Sequence, residues 1–185
     1  MITHTTIHDK NFQLSEKDKE YKYQLELTKK LDAHDGNFDQ NTINEIVLWK
    51  VNRYSLLEPV TMDLINTIKS DEIGINIDKT KVILKALLNT KGIQLPMASS
   101  ILRFRNKNIY QIIDQRVYRI IYKGETLNIP TYQNDKNIED QVNLYLKYLV
   151  DLRAVCENLN IPFDESDRKL YMADKRINKD HKIKV

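Results

Sequence analysis

Residues 87–124 read LLNTKGIQLPMASSILRFRNKNIYQIIDQRVYRIIYKG, and the fold turns on them. Just upstream, Asp78 can cap a helix whose apolar face is Val82, Ile83, Ala86, Leu87 and Leu88 at helical spacing. Asn89-Thr90-Lys91-Gly92 ends that helix, because Gly92 is free to take a positive φ. Pro96 then falls where a second helix begins, its fixed φ suited to a first-turn position. Met97, Ala98, Ile101 and Leu102 lie on one side of this second helix. Two helices joined by a tight, glycine-centred turn make a helix-hairpin-helix over about residues 78–104. The first turn of the second helix leaves backbone N–H groups without intrahelical partners, a setting that suits a phosphate.

Working outward, the rest of the chain also reads as helices. Ser15, with Asp18 three residues on, can cap a helix running to about Ala33 through Tyr21, Leu25, Thr28 and Leu31. Thr42 and Glu45 form a second capping box, opening Ile43, Ile46, Val47 and the single Trp49. Trp49 can anchor a core through its indole N–H or wall a cleft that receives an extruded base. Pro59 precedes a short helix through Met62, Leu64, Ile65 and Ile68. The alternation Ile73-Gly74-Ile75-Asn76-Ile77 has no partner strand and reads as an extended lead into the helix at Asp78.

Downstream of the hairpin, Arg103, Arg105 and Lys107 follow the second helix, and Asn106 and Asn108 between them predict a loop. Asp114 opens a helix with Val117, Ile120 and Ile121 that stops at Gly124, and residues 125–136 form a loop. Asn137 can cap the longest helix, Ile138 to Leu159, whose stripe of Val142, Tyr145, Leu149, Leu152, Cys156 and Leu159 marks the centre of a lobe. Pro162 precedes a last helix at about Glu165 to Arg176. The predicted fold class is all-α, a helical bundle of two small lobes around a cleft. Residues 1–14 read as an arm, 15–176 as one helical domain and 177–185 as a basic tail.

Apolar residues make up 41% of the chain, enough for a core, and charged residues 30%. One cysteine, Cys156, excludes a disulfide framework and points to a reducing, cytoplasmic setting, where it is a small buried hydrophobe. No run approaches a membrane span, and the amino terminus lacks the plan of a signal peptide, so no membrane partner is expected. No zinc spacing, phosphate loop or dinucleotide fingerprint occurs, so no metal and no cofactor is implied; His4 and His8 read as part of the arm. The net charge of +3 hides an asymmetry: Lys79 to Glu125 holds ten Lys or Arg against two acids, a local net of +8. Such a concentration suits a nucleic-acid face, and the alternative is a solvated helix surface.

The stretch LLNTKGIQLPMASSIL resembles the hairpin of the helix-hairpin-helix DNA glycosylases, whose pattern is roughly L-P-G-[VI]-G-x-x-x-A-x-x-[IVL]. Gly92 matches the first glycine, Ile93 the apolar residue after it, and Ala98 the small residue where the helices pack. Ile112-Ile113-Asp114-Gln115-Arg116-Val117 is similar to the segment V-D-[TV]-H-[VI] that carries the family's catalytic aspartate, and the 18-residue interval from Pro96 to Asp114 is close to the family's. These matches cover about a quarter of the chain. The resemblance implies a duplex-DNA partner, with Gly92, Gln94, Pro96, Met97, Arg103, Arg105, Lys107 and Arg116 as nucleic-acid-binding residues. It implies that Asp114 stabilises positive charge growing on a sugar while an N-glycosidic bond breaks. Asp114 is equally an N-cap, and both roles can coexist.

Two positions depart from the pattern. Gln94 replaces the second glycine, and Pro96 stands where bifunctional members place a lysine nucleophile. Without an amine no Schiff base forms, so an enzyme of this kind would be monofunctional. The single cysteine also excludes the four-cysteine iron–sulfur loop of some relatives. Three functions fit these residues: a monofunctional DNA glycosylase, a non-catalytic DNA-binding protein on the same scaffold, and a helical protein-interaction domain.

Overall fold

A computed structural model of the chain describes Lys10, Phe12, Gln13, Ser15, Asp18 and residues 23–51, 54–130 and 132–181. His4, His8 and Tyr21 lie outside the described residues, as do the other residues of the expected arm except Lys10, Phe12 and Gln13, and the last four residues of the tail. Among the described residues there are eight α-helices and no strand, so the chain is all-α. None of these helices is long and apolar enough to cross a membrane. The chain divides into two compact units, Met1–Tyr54 and Ser55–Val185, a division falling within the stretch 15–176.

The first unit contains α1 (Leu25–Asp32) and α2 (Gln40–Lys50). α1 begins later than the Ser15–Asp18 pair predicts. Ser15 donates from its N–H (2.6 Å) and Oγ (3.0 Å) to Asp18 Oδ2, and Gln24 takes a left-handed φ of 41° immediately before Leu25. α2 is capped by Asp39 in place of Thr42: Asp39 Oδ1 accepts from the Thr42 N–H at 2.7 Å and the Thr42 hydroxyl at 2.8 Å. Glu45, expected to close a capping box, pairs with Lys30 instead. Trp49 donates its indole N–H to Thr28 Oγ1 at 2.9 Å and meets the Tyr23 ring edge-on at 5.2 Å, which is the anchoring reading.

The second unit runs α3 (Pro59–Asn66), α4 (Ile77–Leu88), α5 (Leu95–Arg105), α6 (Gln115–Ile121), α7 (Asp135–Leu159) and α8 (Ser166–Ile177). Asn76, two residues before Asp78, caps α4 by accepting the Lys79 N–H at 3.0 Å, and Asp78 sits in the first turn, where the helix dipole favours its charge. Val82 is 52% exposed, and Leu84 takes the place expected of it beside Ile83, Leu87 and Leu88. α5 extends through Arg105, so Arg103 and Arg105 belong to its last turn and not to a loop. It stops where Asn106 turns extended and its Nδ2 reaches the carbonyls of Lys69 (2.6 Å) and Glu72 (2.9 Å).

α7 is the central helix, capped by Asn134 in place of Asn137. Val142, Tyr145, Leu149, Leu152 and Cys156 of its stripe are buried, and Leu159 is exposed. α4 packs along α7, and α6 packs on α8. Each fully buried Leu or Ile of this core contributes about 1.5–3 kcal/mol.

Candidate functional site

The turn between α4 and α5 is built by local rules. Ile93 N–H donates to the Thr90 carbonyl at 3.1 Å, closing a turn in which Gly92 takes a φ of +87°. A Cβ at Gly92 would also stand 2.9 Å from Ser55 Oγ, so both conformation and space favour glycine. Ile93 and Leu95 are buried on either side of Gln94, which anchors the turn and leaves Lys91, Gly92, Gln94 and Met97 exposed. Met97, expected on the packed side of the helix, is 45% exposed. Gln94 occupies the N-cap position of α5 without a side-chain cap, and Pro96 in the first turn has no N–H. The N–H groups of Leu95 and Met97 therefore have no intrahelical acceptor.

A buried hydroxyl joins this helix start to Asp114. Ser99 Oγ donates to the Pro96 carbonyl at 2.8 Å and accepts the Ile113 N–H at 3.2 Å. The non-helical segment 109–114 is held on its other side by tyrosines of α7. Tyr145 donates to the Gln111 carbonyl at 2.9 Å, and Tyr148 to the Ile112 carbonyl at 2.7 Å. Tyr110 in turn shares a 2.8 Å hydrogen bond with Thr80 of α4. Burial pushes the Tyr145 and Tyr148 hydroxyls well above their ordinary pKa, keeping both as neutral donors. Tyr145 is expected from the sequence only as part of the apolar stripe, and Tyr148 is not expected to bear on the site. The signal was three tyrosines, at 110, 145 and 148, in stretches otherwise apolar, where a buried hydroxyl must find a partner.

Asp114 is the N-cap of α6. Its Oδ1 accepts the N–H groups of Arg116 at 2.7 Å and Val117 at 2.8 Å. Burial raises its pKa above the ordinary aspartate value, outweighing the lowering by those two hydrogen bonds and the nearby Arg116 charge. Two hollows in this unit lie elsewhere. One of about 230 Å³ is bordered by Arg153, Cys156 and Phe163, and one of about 530 Å³ lies on α8. Cys156 is 5% exposed with its thiol pKa raised by burial, in keeping with a packing role.

The four cations expected to hold phosphates are engaged within the protein. Arg103 is only 6% exposed; its Nε stands 3.6 Å from Asp167 Oδ2 and it donates to the Asp164 carbonyl at 3.0 Å. It is a core residue and is not available to DNA. Arg105 donates to the Asn66 carbonyl at 3.1 Å, and Lys107 to Asp164 Oδ2 at 3.0 Å. Arg116 reaches Asp174 Oδ2 at 3.2 Å, beside Arg119, which binds both oxygens of the same carboxylate at 3.0 and 2.6 Å. Asp174 is fully buried and also accepts from Asn178 at 2.7 Å. Burial alone would raise its pKa, but hydrogen bonds from Arg119, Asn178 and Arg116 hold it below the ordinary value. The acids missing from residues 79–125 are thus supplied largely by Asp164, Asp167 and Asp174, distant in sequence.

No family model matches this chain, and no curated protein or solved structure matches it either.

Proposed function

We propose that the chain binds duplex DNA through the α4–α5 hairpin and, with Asp114, hydrolyses the N-glycosidic bond of an extruded base, as a monofunctional DNA glycosylase does. One observation carries this reading. The Ser99 hydroxyl bonds both the Pro96 carbonyl and the Ile113 N–H, so the 18-residue interval from Pro96 to Asp114 is closed by a buried link. A phosphate resting on the N–H groups of Leu95 and Met97 would then share one rigid support with the carboxylate. In this mechanism the fixed anion of Asp114 stabilises positive charge growing on the sugar. Pro96 offers no amine, so water captures the sugar carbon and leaves an intact abasic strand. DNA is positioned through its backbone and is not read by sequence.

A second reading, binding without catalysis, is favoured by a different observation. Asp114 Oδ1 already accepts two backbone N–H groups as a helix cap, and neither hollow is bordered by Asp114.

The hairpin contact is tested by replacing Gln94→Glu and Met97→Glu together. Carboxylates in the first turn favour the helix dipole, by about 0.3–1 kcal/mol each, so the fold should hold or gain. The same charges repel a phosphate. Duplex affinity should fall for every sequence alike, and an unchanged affinity would remove the hairpin as the DNA contact.

A further inference from the structure

Six of the ten cations in residues 79–125 are paired with acids from elsewhere in the chain, and α8 carries a cluster of exposed positive charge of its own. Its two internal acids, Asp167 and Asp174, are buried against Arg103, Arg116 and Arg119. Its own cations, Arg168, Lys169, Lys175 and Arg176, are all exposed. At about 100° per residue these four and Met172 fall within an arc of about 120°, on the side away from Leu170 and Asp174. Glu165, just before the helix, is the acid on that side, and it pairs with Lys169 at 2.7 Å. Among the described residues no ion pair engages Arg168, Lys175 or Arg176. Arg168, Lys169, Met172 and Arg176 border the hollow of about 530 Å³, and Lys179 follows in the next turn.

We infer that this outer face of α8 is a second nucleic-acid contact, which takes the phosphate backbone. It goes beyond the hairpin reading and does not require that a base be hydrolysed. Guanidinium groups hold phosphate oxygens bidentately, and Arg168 and Arg176 are about 12 Å apart along the helix axis, far enough to meet different phosphates. The face is too polar to enter a bilayer: Met172, 60% exposed, is its one large apolar side chain. Fixed inward acids with outward bases also leave the arginines without an internal competitor for a phosphate.

The test compares the full chain with Arg168→Ala/Lys175→Ala/Arg176→Ala, and with Lys29→Ala/Lys50→Ala/Lys136→Ala as a control of equal net charge at other exposed sites. The probes are a short duplex DNA, a duplex RNA of the same sequence and vesicles rich in phosphatidylserine. All substituted positions are exposed, and circular dichroism should report unchanged helicity. The α8 triple variant should bind duplex about tenfold more weakly or worse at moderate salt, with the slope of log K against log salt shallower by about 2 to 3. The control should keep the parent's affinity. Equal binding by the α8 variant and the control overturns the inference and leaves the hairpin reading standing. Duplex RNA bound through α8 with no DNA binding would remove the DNA reading alone. Vesicle binding that depends on α8 with no nucleic-acid binding, or no binding to any probe, overturns the inference.

Discussion

At Asp114 two opposed effects meet in one side chain: hydrogen bonds from Arg116 and Val117 favour its anion, and burial disfavours it. Burial wins, so the folded pKa lies above the unfolded value. The fold therefore binds this proton more tightly than the unfolded chain does. The ionised form carries a desolvation cost at neutral pH, which is relieved as pH falls through the raised pKa. Asp114→Asn keeps the capping oxygen and removes the charge, so stability at pH 7 should be unchanged or slightly higher. Asp114→Ala loses the cap and should cost about 1 kcal/mol. Urea unfolding of the two variants checks this; equal destabilisation of both would mean that the charge, not the cap, is what the fold uses.

Among the elements, α6 and α8 are joined by the Asp174 carboxylate, and its energetics have the opposite sign. Its folded pKa is depressed, so its contribution is present above the unfolded value near 3.9 and is lost as pH falls through the lower folded pKa. Asp174→Asn leaves Arg116 and Arg119 facing a neutral amide. It should cost about 3 kcal/mol at neutral pH, the low end for a broken buried pair because both guanidinium groups reach solvent in part. The penalty should shrink below pH 4 on this account. A penalty independent of pH between neutrality and pH 3 would contradict it.

The α4–α5 turn was legible in the sequence because it obeys local rules, a positive-φ glycine followed by a first-turn proline. The cap of α6, Asp114, lies where the sequence places it, whereas those of α2, α4 and α7 lie two or three residues earlier than expected. Asp39 and Asn134 accept the N–H of the residue that looked like the cap, Thr42 and Asn137, and Asn76 accepts that of Lys79, next to Asp78. Where two residues able to cap lie three apart, the side chain of the first accepts the backbone N–H of the second.

For the molecule as a whole, charge was the least legible property. Six of the ten cations in residues 79–125 pair with acids from outside that stretch: Lys79 with Glu72, Lys85 with Glu139, Arg103 with Asp167, Lys107 with Asp164, and Arg116 and Arg119 with Asp174. A count along the chain registers the excess and cannot register partners that only folding brings near. A further positive surface lies on α8, where four exposed cations face one acid. DNA binding then rests on a hairpin start free of acids and on a helix face where, among the described residues, Arg168, Lys175 and Arg176 have no ion-pair partner. Catalysis rests on Asp114 alone.

The role of Asp114 in catalysis can be measured directly. Duplexes carrying a panel of modified bases are incubated with excess protein, and released base is measured for the parent chain and for Asp114→Asn. The parent should release one class of base. Strand breaks should appear only after alkali, and borohydride should trap no covalent adduct, since Pro96 cannot form an imine. The Asn variant, folded and still binding DNA, should lose release by orders of magnitude. Equal release by the two proteins, or none by the parent across the panel, would contradict the catalytic claim.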